Sequence, residues 1–140
     1  MEKPENKPVA TLPIIKALTA VPGLNQLTQT EALACENGFA ELAMPFDPTY
    51  TQHHGFLHGG LIAYLADTSI AWSAASLVGD VLTSEFRVHF LAPGKGQRFI
   101  ARGNVIKASR RQVVAKSDVF AVNDGVEKLI ATATGTCLVA

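Results

Sequence analysis

An acidic side chain in the middle of an apolar segment is the feature of this sequence best suited to chemistry. Asp67 lies within residues 61–78, close to Leu65 and Ile70. An ionised carboxylate in such surroundings is costly unless it is paired, solvated in a cleft or shifted in pKa, and such placements mark functional sites. The alternative is a structural role, in which Asp67 hydrogen-bonds to the backbone or to a hydroxyl such as that of Ser69.

The same segment opens with the sequence His58-Gly59-Gly60. Glycine is a poor residue for a helix interior but suits the first turn, where it lets a ligand approach the unpaired backbone N–H groups. Those donors and the positive end of the helix can hold the oxygen of a polarised carbonyl. The alternative role of the glycine pair is tight packing against a neighbouring sheet.

The spacing between Gly60 and Asp67 favours a site shared by two subunits. Residues seven apart lie on one helix face but about 10 Å apart along the axis, so a single carbonyl group cannot easily touch both. If both act on one substrate, two antiparallel helices from different subunits would place each Asp67 beside the other's Gly60. We therefore expect at least a homodimer.

Four histidines raise the question of a metal site. His54 and His58 are four residues apart, a spacing that can bind zinc when both lie on a helix. Here the pair precedes the helix in a glycine-containing loop and lacks a third acidic or cysteine ligand nearby, so we expect no metal site. His89 lies in a predicted strand and is expected to be structural.

Composition places the chain among single-domain globular proteins. With 140 residues, 48% hydrophobic and 17% charged, it can bury a core, and we expect a flexible tail at residues 1–10 followed by one domain at residues 11–140. The formal net charge of zero gives no electrostatic case for binding nucleic acid or an anionic membrane. The polar N-terminus and the isolated Cys35 and Cys137 point to the cytoplasm.

Apolar patterns and turn residues predict the secondary structure. The predicted elements are a short helix, a two-stranded hairpin, a long helix and four more strands, at residues 12–20, 27–35, 39–44, 60–78, 81–91, 98–108, 112–122 and 128–138. The long helix is nearly apolar on every side and must be enclosed, and its Asp67 and hydroxyl residues argue against a membrane span. In the last strand, strict alternation places Ile130 and Ala131 on opposite faces.

The order of these elements predicts an α+β domain. No helices separate the last four strands, as βαβ units would require, so we expect an antiparallel meander. An antiparallel sheet that wraps around one long central helix accommodates this order. Such a sheet has an open edge, which again favours pairing with a second subunit.

Two motifs resemble the signature of hotdog-fold acyl-CoA thioesterases of the PaaI-like, phenylacetate-pathway family. They are the run Gly55-x-x-His58-Gly59-Gly60 and the run Leu65-Ala66-Asp67-Thr68. The later layout is similar too, from Phe90-Leu91-Ala92-Pro93-Gly94 to a threonine-rich last strand. The resemblance covers residues 27–140 and implies a hotdog fold, dimers that commonly pair into homotetramers, and an active site between subunits.

The resemblance also implies roles for individual residues. Asp67 would act as the nucleophile or as the general base for water, and the Gly60 N–H would polarise the thioester carbonyl. His58 would shape the loop before the helix, and Thr83 would help to place water beside the carboxylate. Gln52 stands where the family usually has an asparagine near the attacking water, so the amide is kept on a longer side chain.

Contacts to the rest of an acyl-CoA substrate are expected from the helix start and from a basic region. Gly59, His54 and Phe56 surround the helix start. Residues 87–116 contain eight basic side chains and no acidic one, and arginine binds phosphates through strong charge-assisted contacts. The turn Ser109-Arg110-Arg111 resembles the family's region around the nucleotide of CoA. Since CoA is part of the substrate, no separate cofactor is expected.

Two other functions remain open from the sequence. A hotdog dehydratase or hydratase would use a loop histidine and a helix acid, for which His54 and Asp67 are the candidates, but the loop lacks the sequence patterns of those enzymes. A module that binds acyl-CoA without turning it over would not need Asp67 beside Gly60. Within the thioesterase hypothesis, the acyl group is aromatic by family likeness or a short to medium aliphatic chain.

Overall fold

The computed structural model describes residues 8–140. Its helices are α1 (Leu12–Thr19), α2 (Leu24–Leu27) and α3 (Gly59–Val78), and its strands are β1 (Glu31–Glu36), β2 (Phe39–Pro45), β3 (Val81–Phe90), β4 (Arg98–Ala108), β5 (Gln112–Asn123) and β6 (Val126–Val139). The predicted tail at residues 1–10 lies mostly outside the described residues. At its end, the Ala10 N–H donates to Ala75 O at 2.9 Å.

The six strands form one antiparallel sheet in the order β1-β2-β4-β5-β6-β3, and α3 packs against it, so the predicted α+β hotdog architecture is confirmed. The prediction that all four late strands form a meander is wrong for β3. This strand pairs with β6, with Thr83 opposite Cys137 and Phe90 opposite Ala131. Because β3 follows α3 directly, it occupies the edge that the β4-β5-β6 meander leaves free, and residues 91–97 return the chain to the middle of the sheet.

Helix α3 approaches the sheet most closely at glycine and serine residues. A Cβ atom at Gly103 would stand 2.1 Å from Ser69 O, so only glycine permits this contact. The hydroxyls of Ser69, Ser73 and Ser76 donate to carbonyls of the preceding helical turn. Their hydrogen bonds are thereby satisfied inside the core, which explains how a serine-containing helix can be buried.

One face of α3 points away from the sheet. The residues of this free face recur every three or four positions, as one side of a helix does, and are exposed or partly exposed: Gly60, Ala63, Tyr64, Asp67, Thr68 and Ala71. Helix α3 has the length and hydropathy of a membrane-spanning helix, but half of its most apolar window is buried within the protein. It is the core helix of the domain, open along the face that carries Asp67.

The strand predicted at residues 27–35 starts later than expected, at Glu31. Residues 24–27 form α2, and Thr28 Oγ1 donates to Leu24 O at 2.7 Å. Gln29 then has a φ of 56°, which turns the chain into β1. Local hydrogen bonding by threonine competes with strand formation. The alternation of apolar residues, on which the strand prediction rested, carries no sign of this hydrogen bonding.

The prediction that side chains of the last strand alternate strictly between the two faces of the sheet is also wrong for β6. The β5–β6 pairing shifts between Val119 and Phe120, and both Ile130 and Ala131 are fully buried. The extra residue of a β-bulge produces such a change of face. The bulged Ile130 carbonyl accepts the Leu91 N–H at 2.8 Å, so it helps to fix the segment that follows β3.

Candidate active site

The start of α3 is tied to the segment that follows β3. The Leu57 N–H donates to Gly94 O and the His58 N–H donates to Tyr50 O, both at 2.9 Å. A Cβ atom at Gly94 would lie 2.7 Å from Leu57 Cβ, so the two segments are in direct contact. The helix start therefore has a defined position relative to the end of β3.

The imidazole of His58 caps α3. His58 Nδ1 accepts the Gly60 N–H at 2.8 Å, and the N–H groups of Leu61 and Ile62 donate to His58 O at 2.9 and 3.2 Å. Within residues 8–140, the Gly59 N–H has no partner. Gly59 therefore supplies the free donor of the first turn. The role of Gly60 as carbonyl donor stays a prediction, because its N–H is engaged by His58.

The carboxylate of Asp67 is held from β3. Asp67 Oδ1 accepts the hydroxyl of Thr83 at 2.7 Å, and the side chain is partly buried on the free face of α3. The alternative partner considered above, Ser69, points into the core instead, with its Oγ 2.6 Å from Ser117 Oγ. In the part of the chain that the structure describes, no second donor contacts the Asp67 carboxylate, so Oδ2 is open to water or substrate.

The thiol of Cys137 lies behind Thr83. Thr83 Oγ1 and Cys137 Sγ are 3.9 Å apart, and Cys137 is fully buried. Burial raises the pKa of the Cys137 thiol; the contact with Thr83 acts against this increase, and the charge of Asp67 adds to it. The thiol is therefore protonated at neutral pH, which makes it a poor nucleophile.

A cavity of about 390 Å³ lies beside the helix start. Gln52, Phe56 and Gly59 line it together with residues 90–94. Gln52 Oε1 accepts the His54 N–H at 2.6 Å, so the amide oxygen is engaged within its own loop. The His54 ring lies at the surface, 4.0 Å from that of His53 between centroids. The structure thus brings Gln52, Phe56 and Gly59 together and leaves the His54 ring outside the cavity.

The turn Ser109-Arg110-Arg111 lies at the end of the sheet where β3 begins. Arg111 O accepts the Val139 N–H at 3.0 Å, and Val139 pairs with Val81. Neighbouring strands are about 4.8 Å apart, so the turn is roughly 10 Å from Val81 across two such spacings. Both arginines are exposed, and the Ser109 hydroxyl donates within the turn. The turn is therefore on the Asp67–Thr83 side of the domain.

Within one chain, the candidate site residues fall into two separate halves. In one half, Gly59 lies against Phe90, since a Cβ atom at Gly59 would be 3.4 Å from the Phe90 ring. In the other half, Asp67 meets Thr83. The two halves are eight residues of continuous helix apart, about 12 Å along the axis. Phe90 and Cys137 were not predicted as site neighbours, because their positions depend on the β3–β6 pairing.

The three histidines near the helix start lie in different settings. His58 caps α3, and His53 and His54 are exposed. Across residues 8–140, no three histidine, cysteine or acidic side chains lie close enough together to hold a metal ion.

Sequence comparison identifies the family to which this chain belongs. The sequence pattern of the thioesterase superfamily matches residues 54–128, more than half of the chain, and this range includes Gly59, Asp67 and Thr83. The medium/long-chain acyl-CoA thioesterase YigI of Escherichia coli is 28% identical over 125 residues, which cover 74% of this chain and 77% of YigI.

Solved structures agree with the sequence match. A thioesterase family protein from Silicibacter pomeroyi is 36% identical and superposes with a TM-score of 0.84, covering 89% of this chain and 93% of that one. The PaaI protein of the E. coli phenylacetic acid degradation operon superposes with a TM-score of 0.78 at 22% identity, over 89% and 88% of the two chains, which shows the fold. The family match over residues 54–128, on a shared architecture, places this chain in the thioesterase superfamily.

Proposed function

We propose that this protein hydrolyses acyl-CoA thioesters to a free acid and CoA, with Asp67 as the catalytic carboxylate. The observation that carries the proposal is the 2.7 Å hydrogen bond from Thr83 to Asp67 Oδ1 on the free face of α3, which leaves Oδ2 open. A carboxylate fixed in this way can attack a thioester carbonyl or remove a proton from water. The thioesterase family and the similarity to YigI support a thioester as the bond that is cleaved.

The start of α3 supplies the other half of the chemistry. The Gly59 N–H has no protein partner among the described residues, lies at the positive end of the helix and carries no side chain that would block a carbonyl oxygen. It is the first donor to the developing oxyanion. The Gly60 N–H becomes a second donor when the His58 imidazole turns away.

The two halves meet when the β3 edges of two copies pair. Within the described sheet, β3 has a neighbour on one side only, and an unpaired edge is a template for another strand. Antiparallel pairing along the whole strand, about a two-fold axis, sets Phe90 of one copy opposite Val81 of the other. Phe90 packs against Gly59. Val81 is two residues from Thr83, which holds Asp67. The pairing therefore places the Gly59 of one copy near the Asp67 of the other.

In the same arrangement, a basic turn near Asp67 can bind the CoA part of the substrate. The turn Ser109-Arg110-Arg111 lies on the Asp67 side of the domain and presents two exposed arginines, which suit the phosphates of CoA. The loop that precedes α3 in the second copy would bring its Gln52, His54 and Phe56 to the opposite side of the thioester. The dehydratase alternative gains no support, since the His54 ring lies at the surface of its loop.

Substitution of the carboxylate tests the proposal. Asp67→Asn keeps the shape of the side chain and an acceptor for Thr83 but removes the reactive anion, so hydrolysis of an acyl-CoA panel should fall by at least about 100-fold, with an unchanged melting temperature. Asp124→Asn, at the exposed β5–β6 turn, is the matched control and should retain activity. Undiminished thiol release by Asp67→Asn would contradict the assignment of Asp67 as the catalytic carboxylate. Tight binding of acyl-CoA by the unmodified protein, without turnover of any acyl type, would favour a binding module instead.

A further inference from the structure

A second cavity, of about 330 Å³, lies between α1 and the later turns of α3. We call it the α1 groove and define it by Ile14, Leu18, Ala71, Trp72, Ala75 and Val81. The two alanines form a floor with little side-chain bulk. The lining is apolar apart from Asp80, which is typical of a site for a hydrocarbon group.

Helix α1 turns two large aliphatic side chains toward solvent beside this groove. Its Ile15 is buried, whereas Ile14 is 45% and Leu18 is 53% exposed. The two exposed residues are four positions apart and therefore lie on one face of α1. Exposed apolar surface that rims a cavity marks a ligand site more often than ordinary surface does.

The groove begins near the candidate catalytic carboxylate, although Asp67 does not itself line it. Ala71 is one helical turn beyond Asp67 and lies on the same free face of α3. Val81 is two residues from Thr83, so both side chains lie on one side of β3. An acyl chain whose carbonyl carbon lies at Asp67 can therefore continue into the α1 groove without crossing the helix.

The segment that carries α1 is anchored to α3 on both sides of Asp67. On one side, the Ala10 N–H donates to Ala75 O at 2.9 Å. On the other, the Tyr64 hydroxyl contacts Asn25 Oδ1 and lies 3.0 Å from Thr30 Oγ1. The outer wall of the groove is thus formed before any ligand arrives, which lowers the ordering cost of binding.

We propose that the α1 groove binds the acyl chain of the thioester and that Ile14 and Leu18 set the preferred chain length. The inference rests on the proposed function of Asp67 and adds its substrate class. If a methylene group takes about the volume of a water molecule, roughly 30 Å³, the groove holds on the order of ten carbon atoms. The preferred substrates are therefore medium-length aliphatic acyl-CoA thioesters, with kcat/KM rising about threefold to fourfold per methylene until the groove is full.

Filling or trimming the groove should change chain-length preference without abolishing turnover. Ala71→Leu should lower kcat/KM for octanoyl- and decanoyl-CoA at least tenfold while leaving butyryl-CoA within about twofold. Leu18→Ala should flatten the dependence on chain length. Leu27→Ala is the matched control, since Leu27 is 72% exposed on the same N-terminal segment and outside the groove, and its chain-length profile should equal that of the unmodified protein.

The single tryptophan gives a readout that does not depend on turnover. Trp72 is the only tryptophan in the sequence, lines the groove and is 8% exposed. In the Asp67→Asn variant, decanoyl-CoA should change the Trp72 fluorescence saturably and CoA alone should not. Adding Ala71→Leu to this variant should abolish the response to decanoyl-CoA.

The outcomes separate this inference from the proposed function. If hydrolysis needs Asp67 but the chain-length profiles of Ala71→Leu and Leu18→Ala match the unmodified protein, the groove assignment is overturned and the catalytic one stands. If Ala71→Leu dissociates the assembly and loses activity on every chain length, the groove is a subunit contact and the inference is also wrong. Retained hydrolysis by Asp67→Asn would instead overturn the proposed function.

Discussion

At the scale of single residues, the candidate site separates the proposed catalytic carboxylate from the groups that hold it. Asp67 lies on the face of α3 that the sheet leaves open, so its carboxylate is not enclosed by the core. Thr83 fixes one oxygen at 2.7 Å. Behind it, burial raises the pKa of Cys137, so the thiol stays neutral and adds no competing charge.

Thr83 should act as a positioning residue for Asp67. Thr83→Ala removes the hydrogen bond to the carboxylate, and a bond to a charged group is worth about 1.5–3 kcal/mol, so we expect kcat to fall roughly 10- to 100-fold. Thr83→Ser keeps the hydroxyl and should restore most of the activity. Steady-state kinetics with one acyl-CoA measures both variants. Equal activity of the alanine and serine variants would show that the hydroxyl has no such role.

His58 should contribute to stability as the N-cap of α3. Its Nδ1 accepts the Gly60 N–H at 2.8 Å, and loss of an N-cap acceptor costs about 1 kcal/mol. We expect His58→Ala to lower the free energy of unfolding by that amount in urea titrations. His58→Asn, which retains an acceptor suited to the N-cap, should lose less. Alanine and asparagine variants of equal stability would contradict the capping role.

At the scale of elements, the sequence predicts what depends on local pattern and misses what depends on distant pairing. The long helix was predicted at residues 60–78 and observed at Gly59–Val78, because its apolar composition and its flanking glycines are local signals. The position of β3 beside β6 depends on which edge of the sheet is free, which no local pattern encodes. For the same reason the contact between Phe90 and Gly59 could not be predicted.

The hydrogen bonding of the two glycine N–H groups at the helix start shows the same limit. Sequence reasoning identified the helix start and favoured the Gly60 N–H. The structure engages that N–H with His58 Nδ1 and leaves the Gly59 N–H without a partner among residues 8–140. The difference depends on one side-chain rotamer, which spacing along the chain does not determine.

Contact between α3 and β4 should tolerate no side chain at Gly103. A Cβ atom there would stand 2.1 Å from Ser69 O, so Gly103→Ala must push the helix off the sheet. We expect a loss of about 1–3 kcal/mol in the free energy of unfolding. Gly23→Ala is the control, because a Cβ atom at Gly23 meets nothing within 4 Å. A Gly103→Ala variant as stable as the Gly23→Ala variant would show that the close approach is not required.

At the scale of the whole molecule, charge on the outer face of the sheet links strands and makes stability depend on pH. Arg102 Nε donates to Glu41 at 2.6 Å, and its terminal nitrogens donate to Glu127 at 2.8 and 2.6 Å. The hydrogen bonds from Arg102 lower the pKa of Glu127. A lowered carboxyl pKa contributes stability above the pKa of the unfolded chain, and this is lost as pH falls through the folded value.

Glu127→Gln should therefore destabilise the protein at neutral pH only. Because the pair is partly exposed, the expected loss is under about 1 kcal/mol. Urea unfolding at pH 7 and pH 3 measures it, and the two proteins should become equally stable at the lower pH. A difference that grows on acidification would contradict the sign of the linkage.

The proposed assembly of two copies also belongs to the scale of the whole molecule, because one chain keeps Gly59 and Asp67 apart. Two variants each remove one half of the site. Asp67→Asn removes the carboxylate. Gly59→Pro removes the free N–H at a helix position that proline tolerates, after a His58 backbone at φ −58° and ψ 133° that accepts a following proline.

Mixing these two inactive variants tests the shared site most directly. After joint refolding at equal concentrations, half of the dimers should contain one chain of each kind, and each of these has one intact site. We therefore expect about a quarter of the unmodified activity to return. No recovery of acyl-CoA hydrolysis, in a preparation where differently tagged chains show that mixed dimers have formed, would contradict a site built from Asp67 of one subunit and Gly59 of the other.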